Sequence, residues 1–129
     1  MNTNETQRER IIQDYIDAYN HLDIERMVAN LNETIQFKNI ANGVTNMTLT
    51  GLDSFKEQAE NAKHLFSKRT QAIRSFKHRD DETEIDVAFH AILATDFPNG
   101  LKQGDELNIQ GRSIFRFAGD SIIELTDIS

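Results

Sequence analysis

The sequence contains no cysteine and no tryptophan, and it has a single proline among 129 residues. Without cysteine the chain forms no disulfide, offers no thiolate nucleophile and binds no metal through sulfur. This composition fits a reducing cytoplasm, which is where we expect the protein. No histidine pair has a metal-site spacing such as H-E-x-x-H, so we predict no metal and no other cofactor.

Positive charge is also scarce, because 14 lysines and arginines stand against 21 aspartates and glutamates, for a net charge of −7. No basic stripe is available to meet phosphates, so we expect neither nucleic acid nor an anionic membrane as a partner. The polar start MNTNETQRER is not followed by an apolar segment. We therefore expect no signal peptide, and no stretch is apolar for long enough to cross a bilayer.

What is present is the composition of one ordinary globular domain. Hydrophobic residues make up 38% of the chain and charged residues 27%, which is typical of a soluble globular protein. No internal repeat, low-complexity run or linker divides the sequence, so residues 1–129 are expected to form a single domain with its own core.

Apolar residues at helical spacing predict three helices, at about Gln7–His21, Ile24–Leu31 and Leu52–Phe66. Asp23 is a plausible N-cap for the second of them. Period-two alternation predicts the strands, and Val44–Thr50 reads as either a short strand or an irregular arm. The other predicted strands are Thr34–Ile40, Thr70–Arg79, Glu84–Thr95, Leu107–Phe117 and Ile122–Ile128.

This order of elements predicts an α+β fold, in which helices are segregated from an antiparallel sheet. A strongly bent sheet wrapped around helices leaves a concave pocket at its open end, and small-molecule sites favour such concavities.

The closing hairpin carries the residue that is most out of place. On its first strand, Ser113, Phe115 and Phe117 alternate onto one face, and the return strand places Ile123, Leu125 and Asp127 on one face. A carboxylate on an apolar face pays a desolvation cost unless something uses it. We therefore predict that Asp127 faces a pocket with a raised pKa, the alternative being a frayed, exposed residue near the C-terminus.

Two stretches resemble a known family. Residues 15–28, YIDAYNHLDIERMV, and residues 111–127, GRSIFRFAGDSIIELTD, are similar to the opening helices and the closing hairpin of the nuclear-transport-factor-2-like (NTF2-like) superfamily. Within it the chain most resembles the SnoaL-like polyketide cyclases and the ketosteroid isomerases, from about Ile11 to Ile128. The resemblance implies a cone-shaped fold, in which a curved sheet wraps around three helices. It leaves the chemistry open, because this fold hosts isomerases, cyclases, epoxide hydrolases, dehydratases and binding modules.

The resemblance implies roles for four residues. Tyr15 aligns with the isomerase tyrosine that donates to the developing oxyanion, and Asp127 with the aspartate that the cyclase uses as general base. Asn39 lies where the isomerase has its aspartate base. Ser113 lies where the isomerase keeps a protonated aspartic acid and the cyclase a histidine. The usual steroid-isomerase machinery is therefore incomplete in this sequence.

An epoxide hydrolase of this fold needs an Asp-Arg-Asp set, of which Asp127 could supply one member. Arg112 and Arg116 have the opposite parity to Ser113. The sequence thus points to no arginine on the inward face.

The predicted function is an enzyme that abstracts a proton next to a carbonyl group of a small hydrophobic molecule, as in isomerisation or aldol-type cyclisation. Asp127 would be the base and Tyr15 the donor to the enolate oxygen. The residues expected to orient the substrate or line the pocket are Asn39, Ser113, Tyr19, Phe37, Phe55 and Phe115. The alternative is a non-catalytic ligand-binding or dimerisation module that uses the same pocket.

The opposite parity of the closing strands carries Ile114, Ile122 and Ile128. This is more branched apolar surface than a solvated face requires, and proteins of this resemblance commonly pair through the sheet. We therefore predict a homodimer that buries this face.

Overall fold

Three helices and six strands account for most of the chain in the computed structural model, which describes residues 3–129. The elements in chain order are α1 (Thr3–Asn20), α2 (Ile24–Val28), β1 (Leu31–Ala41), β2 (Val44–Thr50), α3 (Leu52–Ala62), β3 (Phe66–Arg79), β4 (Glu82–Leu93), β5 (Glu106–Ala118) and β6 (Ser121–Ile128).

The strands form one curved, unclosed sheet in the order β2-β1-β6-β5-β4-β3, so the predicted α+β class is confirmed. One pairing differs from a purely antiparallel sheet, because β1 and β6 run parallel. These two strands are distant in sequence, so no tight turn forces them to run in opposite directions. The pairing places the first strand of the chain beside the last strand.

Several predicted boundaries were wrong by a few residues. The first helix begins at Thr3 rather than at about Gln7. The second and third helices end early, because Leu31 and Phe66 already belong to strands, where they pair with Ile122 and Leu93. Sheet pairing therefore overrides the helical spacing of these apolar residues. The predicted cap is confirmed, since the backbone N–H of Arg26 donates to the Asp23 carboxylate at 3.2 Å.

The return strand of the closing hairpin contains a bulge that the alternation did not reveal. Arg116 pairs with Glu124 and Phe117 with Ile122, which leaves Ile123 as an extra residue. The prediction that Ile123 faces inward and Ile122 outward was therefore wrong: Ile122 is 0% exposed in the core and Ile123 is half-buried. Beyond the bulge the predicted face is correct, because Leu125 is buried opposite Phe115.

The core lies between α1 and the concave face of the sheet. Its members are buried apolar side chains from all three helices and from four strands, including Ile12, Ile35, Phe55, Ile85, Phe115, Ile122 and Leu125. Within residues 3–129 no helix combines the length and apolar character that a bilayer span needs.

The predicted homodimer remains to be tested, and the face proposed for it has lost Ile122 to the core. Ile114 and Ile128 remain half-buried on that side, beside Arg116, which contacts Glu82 at 2.9 Å and Glu124 at 3.3 Å. We expect light scattering at high micromolar concentration to give the mass of a dimer. The interface should bury about 1,600 Å² in total, the standard size for a stable complex. A monomer at that concentration would contradict the prediction.

Candidate functional site

Two adjoining cavities open on the concave side of the sheet, with volumes of about 260 and 200 Å³. We call them the outer and the inner cavity. Tyr19, Asn39 and Asp127 line both of them, so these three side chains form the wall between the two spaces. The inner cavity is below the range of about 300–1,000 Å³ that drug-sized ligands occupy, which favours a compact ligand.

Asp127 lies on β6 directly opposite Ser113 on β5. The Ser113 hydroxyl donates a hydrogen bond of 2.7 Å to Oδ1 of Asp127, which leaves Oδ2 to accept a proton. Burial raises the pKa of Asp127 from 3.8 to about 6, and the hydrogen bond from Ser113 lowers it by a smaller amount. The residue keeps a partial opening to the cavities, and this is how a ligand would reach the carboxylate.

The raised pKa of Asp127 predicts a pH-dependent cost to folding. The native state binds this proton more tightly than the unfolded chain, so the stabilisation is fully present below about pH 4 and is lost as pH rises through about 6. A shift from 3.8 to about 6 corresponds to at most about 3 kcal/mol. Asp127→Asn keeps an acceptor for Ser113 but carries no charge, so we expect it to gain stability over the wild type as pH rises.

Urea unfolding of the two proteins at a series of pH values measures this difference directly, and other titrating groups cancel in the comparison. The prediction is contradicted when the difference stays flat or changes in the opposite direction between acidic and neutral pH.

Tyr15 enters the inner cavity from helix α1 and is 8% exposed. Its ring packs edge-to-face on Phe115, with 5.7 Å between centroids, which restricts where the hydroxyl can point. Burial and the nearby Asp127 charge raise the Tyr15 pKa well above its usual value. The hydroxyl therefore remains a proton donor at any physiological pH.

The remaining predicted residues divide between wall and core. Phe37 and Phe55 line the inner cavity and pack edge-to-face on each other, 5.7 Å apart. Asn39 also lines it, with its amide donating to Asn46 at 2.9 Å. Phe115 is 0% exposed and lines neither cavity, so it supports Tyr15 from the core. Met27, Met47, Leu49, Ala59, Ala62 and Phe66 make up most of the other inner-cavity wall.

Sequence reasoning missed Arg69, which is 5% exposed on β3 and lines the inner cavity together with Asp127. Its guanidinium carbon lies 3.7 Å from the centroid of the Tyr19 ring, and its Nε donates to the Tyr19 carbonyl at 3.3 Å. Within the described part of the chain, Nη2 makes no hydrogen bond of good geometry, and neither does Oε1 of Gln71, two residues along the same face. The Tyr19 hydroxyl lies near both side chains: burial raises the Tyr19 pKa, and Arg69 and Gln71 offset part of that rise.

The expectation that no arginine faces inward was therefore wrong. The predicted strand began at Thr70, four residues after the observed start at Phe66, and so left out Arg69. Extending the alternation of Ile73 and Gln71 back by two positions reaches Arg69, and this was the signal available in the sequence. The strand begins earlier because Phe66 pairs with Leu93.

A second cluster of polar side chains has a different role. His78 contacts the Glu9 carboxylate at 2.8 Å through Nε2 and the Thr83 hydroxyl at 2.9 Å through Nδ1. The order of hydroxyl, imidazole and carboxylate is that of a nucleophilic triad. Thr83, however, is 0% exposed, so no substrate reaches its hydroxyl, and the cluster instead ties α1 to the sheet.

Comparison with solved structures identifies the architecture. A candidate polyketide cyclase from Xanthomonas campestris superposes with a TM-score of 0.81 at 17% identity, covering 98% of this chain and 93% of that one. A candidate SnoaL-like polyketide cyclase from Jannaschia sp. gives 0.81 at 12% identity, covering 98% and 88%. An epoxide hydrolase of the LEH-like type from Mycobacterium tuberculosis gives 0.75 at 11% identity, covering 95% and 82%.

Other matching structures are described as NTF2-like and ketosteroid isomerase-like. The chain thus has the NTF2-like fold that its residues predicted. No protein-family model matches the sequence, and no curated protein is similar enough to match it. At these identities the likeness shows the fold alone, so the chemistry has to be argued from the site.

The site does not match an Asp-Arg-Asp epoxide-hydrolase set. Among the described residues that line the two cavities, Asp127 carries the only side-chain carboxylate. Arg69 supplies an arginine, but the second aspartate is missing. The arrangement instead offers one carboxylate base, the hydroxyls of Tyr15 and Tyr19, and one buried cation around a mostly apolar space.

Proposed function

We propose that this protein is an enzyme that abstracts a proton from the carbon next to a carbonyl group of a compact hydrophobic molecule, in an isomerisation or a cyclisation. One observation carries the proposal. A partly buried carboxylate with a raised pKa, Asp127, and a buried hydroxyl donor, Tyr15, line the same small cavity.

The reaction begins when Oδ2 of Asp127 takes the α-proton of the substrate. The electrons of the C–H bond move into the carbonyl group, and the negative charge develops on its oxygen. A hydrogen bond from Tyr15 stabilises that enolate oxygen, which is where charge appears in the transition state. Return of the proton to another carbon completes an isomerisation, whereas attack of the enolate carbon on a second carbonyl of the same molecule closes a ring.

The pKa of Asp127 suits this role. A general base works best when its pKa lies close to the operating pH, because it is then both ionised and strongly basic. At about 6, Asp127 is mostly ionised at neutral pH and is a stronger base than an ordinary aspartate. Ser113 acts as a positioning residue, since its hydrogen bond to Oδ1 fixes the direction of the carboxylate.

The proposal is tested by following loss of the α-proton signal of compact aryl ketones in D₂O by proton NMR. Indanone and tetralone hold the ketone in rings of different size and propiophenone holds it in an open chain, but all three place an acidic C–H next to a carbonyl. We expect catalysed exchange of at least one of them near neutral pH, above the rate with an equal concentration of acetate. No catalysed exchange, for ketones shown to bind, would contradict the proposal.

Removal of the Tyr15 hydroxyl should weaken binding of enolate mimics. A hydrogen bond to a charged oxygen contributes about 1.5–3 kcal/mol, so Tyr15→Phe is expected to reduce the affinity for a naphtholate by that amount. Naphthalene itself is the control ligand, because it fills the apolar wall without an oxygen and should bind both proteins equally. Calorimetry gives both affinities, and an unchanged naphtholate affinity would remove Tyr15 from the mechanism.

The competing function is a non-catalytic binding module. The apolar wall of the inner cavity, from Phe37 and Phe55 to Met47 and Leu49, would serve such a protein equally well. A ligand that binds tightly in the cavity but whose α-proton does not exchange would favour the binding module over the enzyme.

A further inference from the structure

Arg69 is a buried cation that no carboxylate neutralises. Of the ion pairs formed by the described residues, none involves Arg69, although it is only 5% exposed. Burying a charge is costly unless it is paired and hydrogen-bonded. An unpaired guanidinium beside a cavity is therefore a candidate ligand-binding group.

Part of the role of Arg69 is structural, but the structural contacts do not involve every nitrogen of its guanidinium group. Nε caps helix α1 by donating to the Tyr19 carbonyl, where the negative end of the helix dipole also favours a cation. The face of the guanidinium stacks on the Tyr19 ring. Beyond the nearby Tyr19 hydroxyl, these contacts leave Nη2 buried and without a hydrogen bond of good geometry, in a residue that lines the inner cavity.

We propose that Arg69 is the binding site for a carboxylate, and that the ligand of the inner cavity is a compact hydrophobic carboxylic acid. A guanidinium presents planar N–H donors that match a carboxylate, which makes arginine the usual residue for this recognition. The acid would place its carboxylate on Nη2 and its hydrophobic body against Phe37 and Phe55. A C–H next to a separate ketone group of the same molecule would then face Asp127, because a carboxylate does not itself acidify the neighbouring C–H.

A carboxylic acid would be the substrate class of the proposed enzyme. Binding of the acid by Arg69 does not depend on the proposed function, and only its reaction at Asp127 does. Charge supports the orientation, because Arg69 and Asp127 are both on the inner cavity and carry opposite charges at neutral pH. A ligand with one anionic end is drawn to Arg69 and repelled by Asp127, so it can bind in one direction only.

The test compares matched acids and primary amides, namely phenylacetate, cinnamate and naphthylacetate with their amides, by calorimetry near neutral pH. Each pair has nearly the same shape and differs in the charge that Arg69 would recognise. We expect the wild type to bind at least one acid about 10- to 100-fold more tightly than its amide, the range of a charge-assisted hydrogen bond. If no acid binds better than its amide, including the case in which none binds, the proposal is overturned.

Two variants assign the preference to Arg69. Arg69→Met keeps the length of the apolar stem but removes the charge, so it should abolish the preference for acids and leave affinity for the amides within about twofold. Asn20→Ala is the matched control. It loosens the same junction between α1 and β3, where the Asn20 side chain bonds both backbone groups of Gln71, without touching the guanidinium. It should keep the preference.

A measurement on the wild type covers the case in which Arg69→Met does not fold. The ¹⁵N resonances of the Arg69 guanidinium should move when the preferred acid is added and stay in place with its amide. Unmoved resonances, or an acid preference that survives in a folded Arg69→Met protein, would overturn the proposal. These experiments measure binding and not turnover. Acid binding by Arg69 can therefore be established even if no proton exchange is catalysed, and proton exchange can be established even if Arg69 binds no acid.

Discussion

Replacement of Asp127 by asparagine is expected to lower the rate of catalysed α-proton exchange by about 10²–10⁴-fold, the usual contribution of a positioned general base. Asparagine occupies nearly the same space, and its oxygen can still accept the hydrogen bond from Ser113, so the fold and the cavity should be retained. What the variant loses is the ability to take a proton at Oδ2.

Asp86→Asn is the matched control for this experiment. Asp86 on β4 also accepts a hydrogen bond from a serine on the neighbouring strand, Ser75, at 3.0 Å, but it is exposed to solvent and lines neither described cavity that contains Asp127. It should exchange the ketone proton at the wild-type rate. An Asp127→Asn protein that is folded by circular dichroism and retains the wild-type rate would remove Asp127 from the chemistry.

Phe115→Ala is expected to destabilise the protein by about 3–5 kcal/mol, the range for truncating a large aromatic side chain in a core. Phe115 is 0% exposed and belongs to the main core cluster, where it supports the ring of Tyr15. The cavity left behind would lie directly under that ring, so binding of enolate mimics should weaken as well.

Urea unfolding followed by circular dichroism measures the loss of stability. Phe97→Ala provides the comparison, because Phe97 is half-buried in the loop between β4 and β5 and packs at a tilt against Phe66, with 6.1 Å between centroids. It should cost clearly less than Phe115→Ala. Equal costs would mean that Phe115 does not hold the position in the core that the structure gives it.

The fold could be predicted because each of its signals is local. Apolar spacing marked all three helices, and alternation marked the strands, including the strand Val44–Thr50 that the pattern alone left ambiguous. Alternation also placed Asp127 on an inward face, opposite Ser113. A carboxylate among apolar neighbours is conspicuous in any sequence, since burial of its charge is costly.

The errors occurred where pairing between strands decides the structure. The bulge at Ile123 depends on how β6 aligns with β5, and it exchanged the faces of Ile122 and Ile123. The parallel pairing of β1 and β6 joins strands that lie far apart in the chain. Arg69 was missed for the same reason, because β3 begins at Phe66 through its pairing with β4. In addition, a charged residue near the end of a strand usually faces solvent.

An NMR titration of the Asp127 carboxyl carbon in the wild-type protein tests most directly whether Asp127 is the base. We expect a pKa of about 6, well above the ordinary 3.8, because burial of the carboxylate in the wall between the two cavities raises it and the hydrogen bond from Ser113 offsets only part of that rise. A measured pKa at or below 3.8 would show a solvated or ion-paired aspartate, and would contradict the assignment of Asp127 as the base.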